Sequence, residues 1–268
     1  MPTKTLFAGL FVIAAAAALV VLTVPDRGSR PTPAHQSTGQ SLSRTQMAEV
    51  ERIVEAYILQ NPDIIPRAIQ QLQARQRADE QRDLTAQVEQ NWDSIVDDPV
   101  APRAGPADAP VTIVEYYDYR CPYCRRAFGY MRDLMAERDD VQYIYKQFPI
   151  LDRPGDSEAV SREAALYALA AERQNRFKAF HAAAMTADGD LTVDRLAQLA
   201  EAAGLDAAQL AEDRADPDLK AYVQTILKRA QQMGLTATPT FLVNGQVIQG
   251  AVGKDRMVRA IEAAKAEG

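Results

Sequence analysis

Glu115-Tyr116-Tyr117-Asp118-Tyr119-Arg120-Cys121-Pro122-Tyr123-Cys124 closes on two cysteines separated by two residues, and these are the only cysteines in the 268-residue chain. Val111–Tyr117 is rich in β-branched and aromatic residues, which predicts a strand, and Pro122 suits the first turn of a helix. Cys121 therefore falls at a strand-to-helix junction. There, unpaired backbone N–H groups and the positive end of the helix dipole favour thiolate over thiol. Arg120, Arg125 and Arg126 are expected to add to this. Cys124, three residues on, lies on the same helix face, at an α-carbon separation that suits a disulfide, roughly 4.4–6.8 Å.

Two plainer roles fit the pair less well. A structural disulfide stabilises by closing a long loop, and this loop is very short. A zinc site needs four ligands, and the only two histidines, His35 and His181, are far apart in sequence. The pair reads as redox-active.

Working outward, Leu6 to Val24 is an uncharged apolar run, long enough at about 1.5 Å per residue to approach a ~30 Å hydrocarbon core. It is expected to be a signal peptide or membrane anchor within residues 1–24. The poor peptidase site at Thr23-Val24-Pro25-Asp26 favours an uncleaved anchor, and no cysteine follows for lipid attachment. Residues 25–41, rich in Pro, Ser, Thr, Gly and Gln, read as a flexible tether in which His35 is idle. A net charge of −6 gives no reason to expect a nucleic-acid partner.

Residues 42–98 read as a helical stalk. The first helix, 42–60, has Ser43 as its cap and one apolar face made by Val50, Ile53, Val54, Tyr57 and Ile58. Asn61-Pro62 ends it. A second helix starts near Pro66, carries Ile65, Ile69 and Leu72, then turns polar over 75–90, which reads as a solvated spacer. So narrow an apolar face needs a partner, either the main domain or identical stalks. Residues 99–110, rich in proline, are expected to be the linker.

Beyond the cysteines the pattern predicts a helix over 122–138 and a strand over 141–148, hence a parallel sheet. A helical insertion follows over about 157–228, and then a hairpin around Asn244-Gly245 and a last helix from about Lys254. His181, in Phe177-Lys178-Ala179-Phe180-His181, reads as a packing residue rather than a base.

The cysteine motif after a strand, the helical insertion, and Ala237-Thr238-Pro239-Thr240-Phe241 leading into an Asn-Gly hairpin together resemble DsbA-type thioredoxin-fold proteins. The resemblance spans roughly 107–268. It implies an α/β thioredoxin fold with an inserted helical subdomain, preceded by the helical stalk. Leu59-Gln60-Asn61-Pro62-Asp63-Ile64-Ile65-Pro66, with the charged helix behind it, resembles the N-terminal extension of ScsC-like and Com1-like proteins. In characterised ScsC-like relatives that extension can trimerise the chain, and the trimers act as disulfide isomerases, which suggests a homotrimer here.

By this resemblance Cys121 is the exposed nucleophile and Cys124 the resolving thiol. Pro122 and Tyr123 form the dipeptide between them. Pro239 is a cis-proline facing the disulfide, Thr238 presents backbone to substrate, and Glu115 is the buried acid that assists proton transfer. The redox-active disulfide is the only cofactor expected. Exported proteins would be the substrates, a membrane protein would recycle the cysteines, and the place would be the periplasm or cell envelope. The expected activity is disulfide isomerase or reductase if the chain is oligomeric, or dithiol oxidase if it is monomeric. Tyr123 stands where the strongest oxidants carry histidine, so a potential of about −180 to −230 mV is expected. Cu(I) binding by the two thiolates is an alternative of another class, and a scaffold or chaperone acting through the stalk is a third.

Overall fold

The computed structural model describes residues 42–153, 155, 156 and 158–267. The anchor expected in 1–24 and the tether at 25–41 lie outside the described residues. Among those described, no helix is long and apolar enough to cross a membrane. The chain divides into two compact units, Met1–Pro62 and Asp63–Gly268.

In the first unit, α1 (Arg44–Gln60) starts where expected. Ser43 accepts from the Gln46 backbone and Gln46 reaches back to the Ser43 N–H, a reciprocal capping box. The helix buries none of its residues.

The second unit begins with α2 (Ile64–Val96), followed by β1 (Arg103–Ala104), β2 (Val111–Tyr117), α3 (Pro122–Ala136) and β3 (Val141–Gln147). Five helices come next: α4 (Val160–Arg173), α5 (Phe177–Thr186), α6 (Val193–Ala202), α7 (Ala207–Ala215) and α8 (Pro217–Gln232). The chain ends with β4 (Thr240–Val243), β5 (Gln246–Gln249) and α9 (Lys254–Glu267). The sheet order is β1-β3-β2-β4-β5, with β2 and β3 parallel and the other pairs antiparallel. Asn244 and Gly245 both take positive φ, 45° and 90°, as a two-residue hairpin turn between right-twisted strands requires.

The sheet is covered on both faces. Ile113, Tyr143, Phe241 and Val243 pack against Ala127, Met131 and Leu134 of α3 and Met257 and Ile261 of α9. Val114, Tyr116, Ile144 and Leu242 pack against Ile226 and Ala230 of α8 and Val88 and Ile95 of α2. The inserted helices build a third cluster, in which Tyr167, Phe177, Phe180 and Leu196 join Tyr117, Tyr119, Cys121 and Cys124.

Two expectations change here. The stretch 75–90 is not a free spacer: Leu84 and Val88 join the core, and Gln81 Nε2 donates to the Val247 carbonyl at 2.9 Å. Its contacts to the sheet come once per helical turn, too sparse to raise the hydrophobic pattern above the charged residues between them. The 99–110 segment is not only a linker, because it supplies the edge strand β1. Just before it, Asp98 pairs with the buried Lys146 and accepts from Tyr222 Oη at 2.8 Å.

Candidate active site

The site is built where β2 hands the chain to α3. Asp118, the first residue past the strand, takes the turn in hand. Its Oδ1 accepts from the Arg120 N–H and Ser161 Oγ, both at 2.9 Å, and its Oδ2 from the Leu151 N–H at 3.0 Å. Its carbonyl accepts from the Cys121 N–H at 3.0 Å. One carboxylate thus ties the cysteine turn to the loop after β3 and to α4. Burial pushes this carboxyl up to about 6, against those three hydrogen bonds.

Cys121 is the N-cap of α3, with Pro122 in the first turn behind it. It is 4% exposed, and its Sγ lies 3.2 Å from the Thr238 carbonyl, which accepts from it only while the thiol is protonated. The Thr238-Pro239 peptide is cis. Hydrogen bonding from Cys124 is the largest influence on the Cys121 thiol. It acts with the Thr238 side chain and the backbone amides of Cys124 and Tyr123, and together, against burial, they pull the thiol down to about 5. Cys124 is fully buried and is pushed the other way, by burial first, then by its bond to Cys121 and the negative charge of Glu115. The two sulfurs are therefore a matched but unequal pair, one a thiolate at neutral pH and the other its proton donor.

Glu115 lies on β2 between Tyr145 of β3 and Phe241 of β4. Burial raises its carboxyl to about 7, although Tyr143 Oη donates to it at 2.6 Å. A carboxyl poised there is suited to exchanging a proton at neutral pH.

The arginines are placed differently from expectation. Arg120 binds the Leu151 carbonyl and Asp152, and Arg125 binds the carbonyls of Ala184, Ala187 and Gly189. Arg126 stacks over the exposed Tyr123 ring, 5.3 Å from its centroid. Local hydrogen bonds, not these charges, hold the thiolate. His181 packs in a cage of Phe128, Tyr117, Tyr119, Tyr145 and Phe177. Its Nδ1 meets Tyr119 Oη at 2.9 Å, and burial lowers it to about 3, so it stays neutral. Among the described residues no group of three or more histidine, cysteine or carboxylate side chains is arranged to hold a metal.

The structure brings Cys121, Cys124, Thr238, Pro239 and Glu115 into one neighbourhood. It adds Asp118 and Tyr143, which sequence reasoning passed over. Asp118 left a usable signal, a carboxylate inside an aromatic run just ahead of a cysteine pair. Tyr143 left none, because its role depends on the β2–β3 register.

Similarity to known proteins agrees with the geometry. The Thioredoxin_4 profile, described as thioredoxin, matches residues 97–263, and the N-terminal domain of the copper resistance protein ScsC matches 46–79. A thioredoxin-like oxidoreductase from Silicibacter pomeroyi DSS-3 is 34% identical, with a TM-score of 0.60, over 65% of this chain and 97% of that one. Proteus mirabilis ScsC in a transitional conformation is 24% identical, with a TM-score of 0.60, over 85% of this chain and 99% of that one. Na(+)/H(+) antiporter NhaA 1 of Mycolicibacterium gilvum (strain PYR-GCK) is 34% identical over 172 residues, 60% of this chain. This chain spans 26% of the length of that protein.

Proposed function

From the premise that this chain belongs to the thioredoxin family and is a DsbA-like thioredoxin-fold protein with an ScsC-like N-terminus, we propose that it exchanges disulfides with exported proteins through Cys121 and Cys124. The observation that carries this is the inequality of the two thiols, one lowered to about 5 and the other raised.

In the reduced protein the Cys121 thiolate attacks one sulfur of a substrate disulfide, forming a mixed disulfide and expelling one substrate thiolate. Cys124 then gives up its proton, with Glu115 as acceptor, and attacks Cys121 Sγ. The second substrate thiol leaves, two electrons have passed to the substrate, and Cys121–Cys124 is a disulfide. Oxidation of a substrate dithiol runs the same steps backward. Isomerisation needs no net electrons, because another thiol of the same substrate resolves the mixed disulfide and Cys121 returns as thiolate. Thr238 and Pro239 border the attacking sulfur and offer backbone to the substrate chain. A membrane redox partner resets the pair.

We place the protein in the cell envelope, where disulfides persist, and favour isomerase or reductase over oxidase. The support is the apolar face of α1, where Val50, Ile53, Val54 and Tyr57 are exposed, on the segment similar to the ScsC N-terminal domain. Copies joined through that face would form a trimer holding several active sites around one substrate.

Cys121→Ser should abolish both insulin reduction and the reactivation of scrambled ribonuclease, and residual activity of either kind would refute the assignment. Light scattering then separates the readings: a trimer supports the isomerase, a monomer the DsbA-like oxidase. Cu(I) binding remains a second reading because the two sulfurs are within hydrogen-bonding reach of each other and the matching N-terminal domain is that of a copper resistance protein. Copper titration of the reduced protein against a form lacking both cysteines decides it.

A further inference from the structure

A cavity of about 350 Å³ opens between α3, α5 and the β1–β3 edge of the sheet, and of its lining residues the redox chemistry uses Glu115 alone. Phe128, Met131, Tyr143, Tyr145 and Phe177 contribute to its walls, and Glu115 lines it from β2. Two cationic residues line it as well: Lys178 and Arg132, both exposed. Arg132 shares its charge with Asp133 and lies 5.9 Å over the Phe128 ring, whereas Lys178 closes no ion pair among the described residues, although its charge also acts on the Glu172 carboxyl.

We infer that this cavity binds a small amphiphilic anion, an aliphatic or aromatic body carrying one carboxylate or sulfonate. The size is that of a small ligand pocket, and the walls supply apolar and aromatic surface for the body. The charges decide the head group. Lys178 and Arg132 attract an anion and repel a cation. The one acid inside, Glu115, already has the Tyr143 hydroxyl as partner and is raised to about 7, so it offers little attraction to a positive group. His181 is neutral there and adds no charge. An anion therefore keeps its head beside the two cations and its body against the rings. Bound so, its body lies against the Glu115 carboxyl on the inner wall.

Decanoate is the probe, titrated calorimetrically into the full-length reduced chain. Ala182, half-buried in the cavity wall, is the place to fill it. Ala182→Trp should remove binding, and Lys178→Glu, at an exposed position that leaves the fold intact, should weaken it about tenfold or more. Val54→Asp, on the exposed face of α1, should leave it unchanged. Binding that survives Ala182→Trp, that disappears in Val54→Asp instead, or that is absent up to about 1 mM overturns the site. Equal affinity in Lys178→Glu overturns the anionic class. Cys121→Ser should bind decanoate as the parent does, so this test stands or falls apart from the redox assignment.

Discussion

Helices α1 and α3 carry the same spacing of apolar residues and meet opposite fates. Met47, Val50, Val54 and Tyr57 on α1 recur at intervals of three, four and three, as do Cys124, Ala127, Met131 and Leu134 on α3. The α3 set is at most 3% exposed, while the α1 set is 45–59% exposed. The difference lies in connection, not composition. Helix α3 joins two parallel neighbours, β2 and β3, and a crossover of that kind must lie on the sheet, so the sheet covers its face. Helix α1 is closed off by Asn61-Pro62 and has no strand of its own to lie on. An apolar stripe left open in this way is the surface on which the proposed trimer rests.

The largest effect that could break this comparison comes from placing the same charge on each face. Met131→Asp, in α3, buries a carboxylate and removes core contacts, and should cost more than about 4 kcal/mol, enough to unfold the domain. Val54→Asp, in α1, should change the unfolding of the domain by less than about 0.5 kcal/mol and dissociate the proposed trimer. Urea denaturation and light scattering on the two variants check both halves. Equal destabilisation by the two would mean that the exposure of the α1 face does not set the cost of a charge there.

A smaller effect sharpens what lies behind α3. Glu115 has a folded-state value of about 7, above the 4.5 of a free side chain. A raised carboxyl favours the fold only while protonated: its contribution is complete below about pH 4.5 and is lost as the pH rises through 7. Glu115→Gln keeps an acceptor for Tyr143 and escapes that loss. The oxidised variant should therefore be more stable than the parent by about 2–3 kcal/mol at pH 8 and equal to it at pH 4. Denaturation at the two pH values tests this, and a gain of the same size at both would show that burial of the charge is not the cause. Glu49→Gln on α1, whose ion-pair partner among the described residues is the exposed Arg52, should shift stability by under about 0.5 kcal/mol at either pH.

The same contrast explains how much was legible beforehand. The strand at Val111–Tyr117, the helix starting at Pro122, the Asn244-Gly245 hairpin and the Ser43 cap are local events, each decided by a few adjacent residues, and each stands where the pattern placed it. The cysteine turn was legible for the same reason. What stayed hidden depends on distant partners: the docking of Leu84 and Val88 on the sheet, the β1 edge strand, and the Tyr143 bond to Glu115. The arginines beside the cysteines misled because sequence gives their charge but not their direction, and carbonyls of the α5 end and the Asp152 loop claim two of them.

The smallest effect concerns the outer side of α3, the one place where this helix is as open as α1. Tyr123 is 54% exposed, with its ring under Arg126 and its hydroxyl supplying no charge to Cys121. The Cys121 thiol at about 5 lies between the values of about 7 and 3.5 seen in thioredoxin and DsbA. Their potentials are about −270 and −120 mV, so the parent falls between them, in keeping with the value of about −180 to −230 mV expected from Tyr123. A value above about −130 mV in glutathione equilibrium would sink that placement. Tyr123→His brings an imidazolium toward the same thiolate and stabilises the reduced form further. If that is worth about 1.4 kcal/mol, the potential rises by about 30 mV, with no change in fold stability once the disulfide is closed. A potential that fails to rise would mean that the hydrogen bonds from Cys124, Thr238 and the α3 amides already hold the thiolate as firmly as this turn allows.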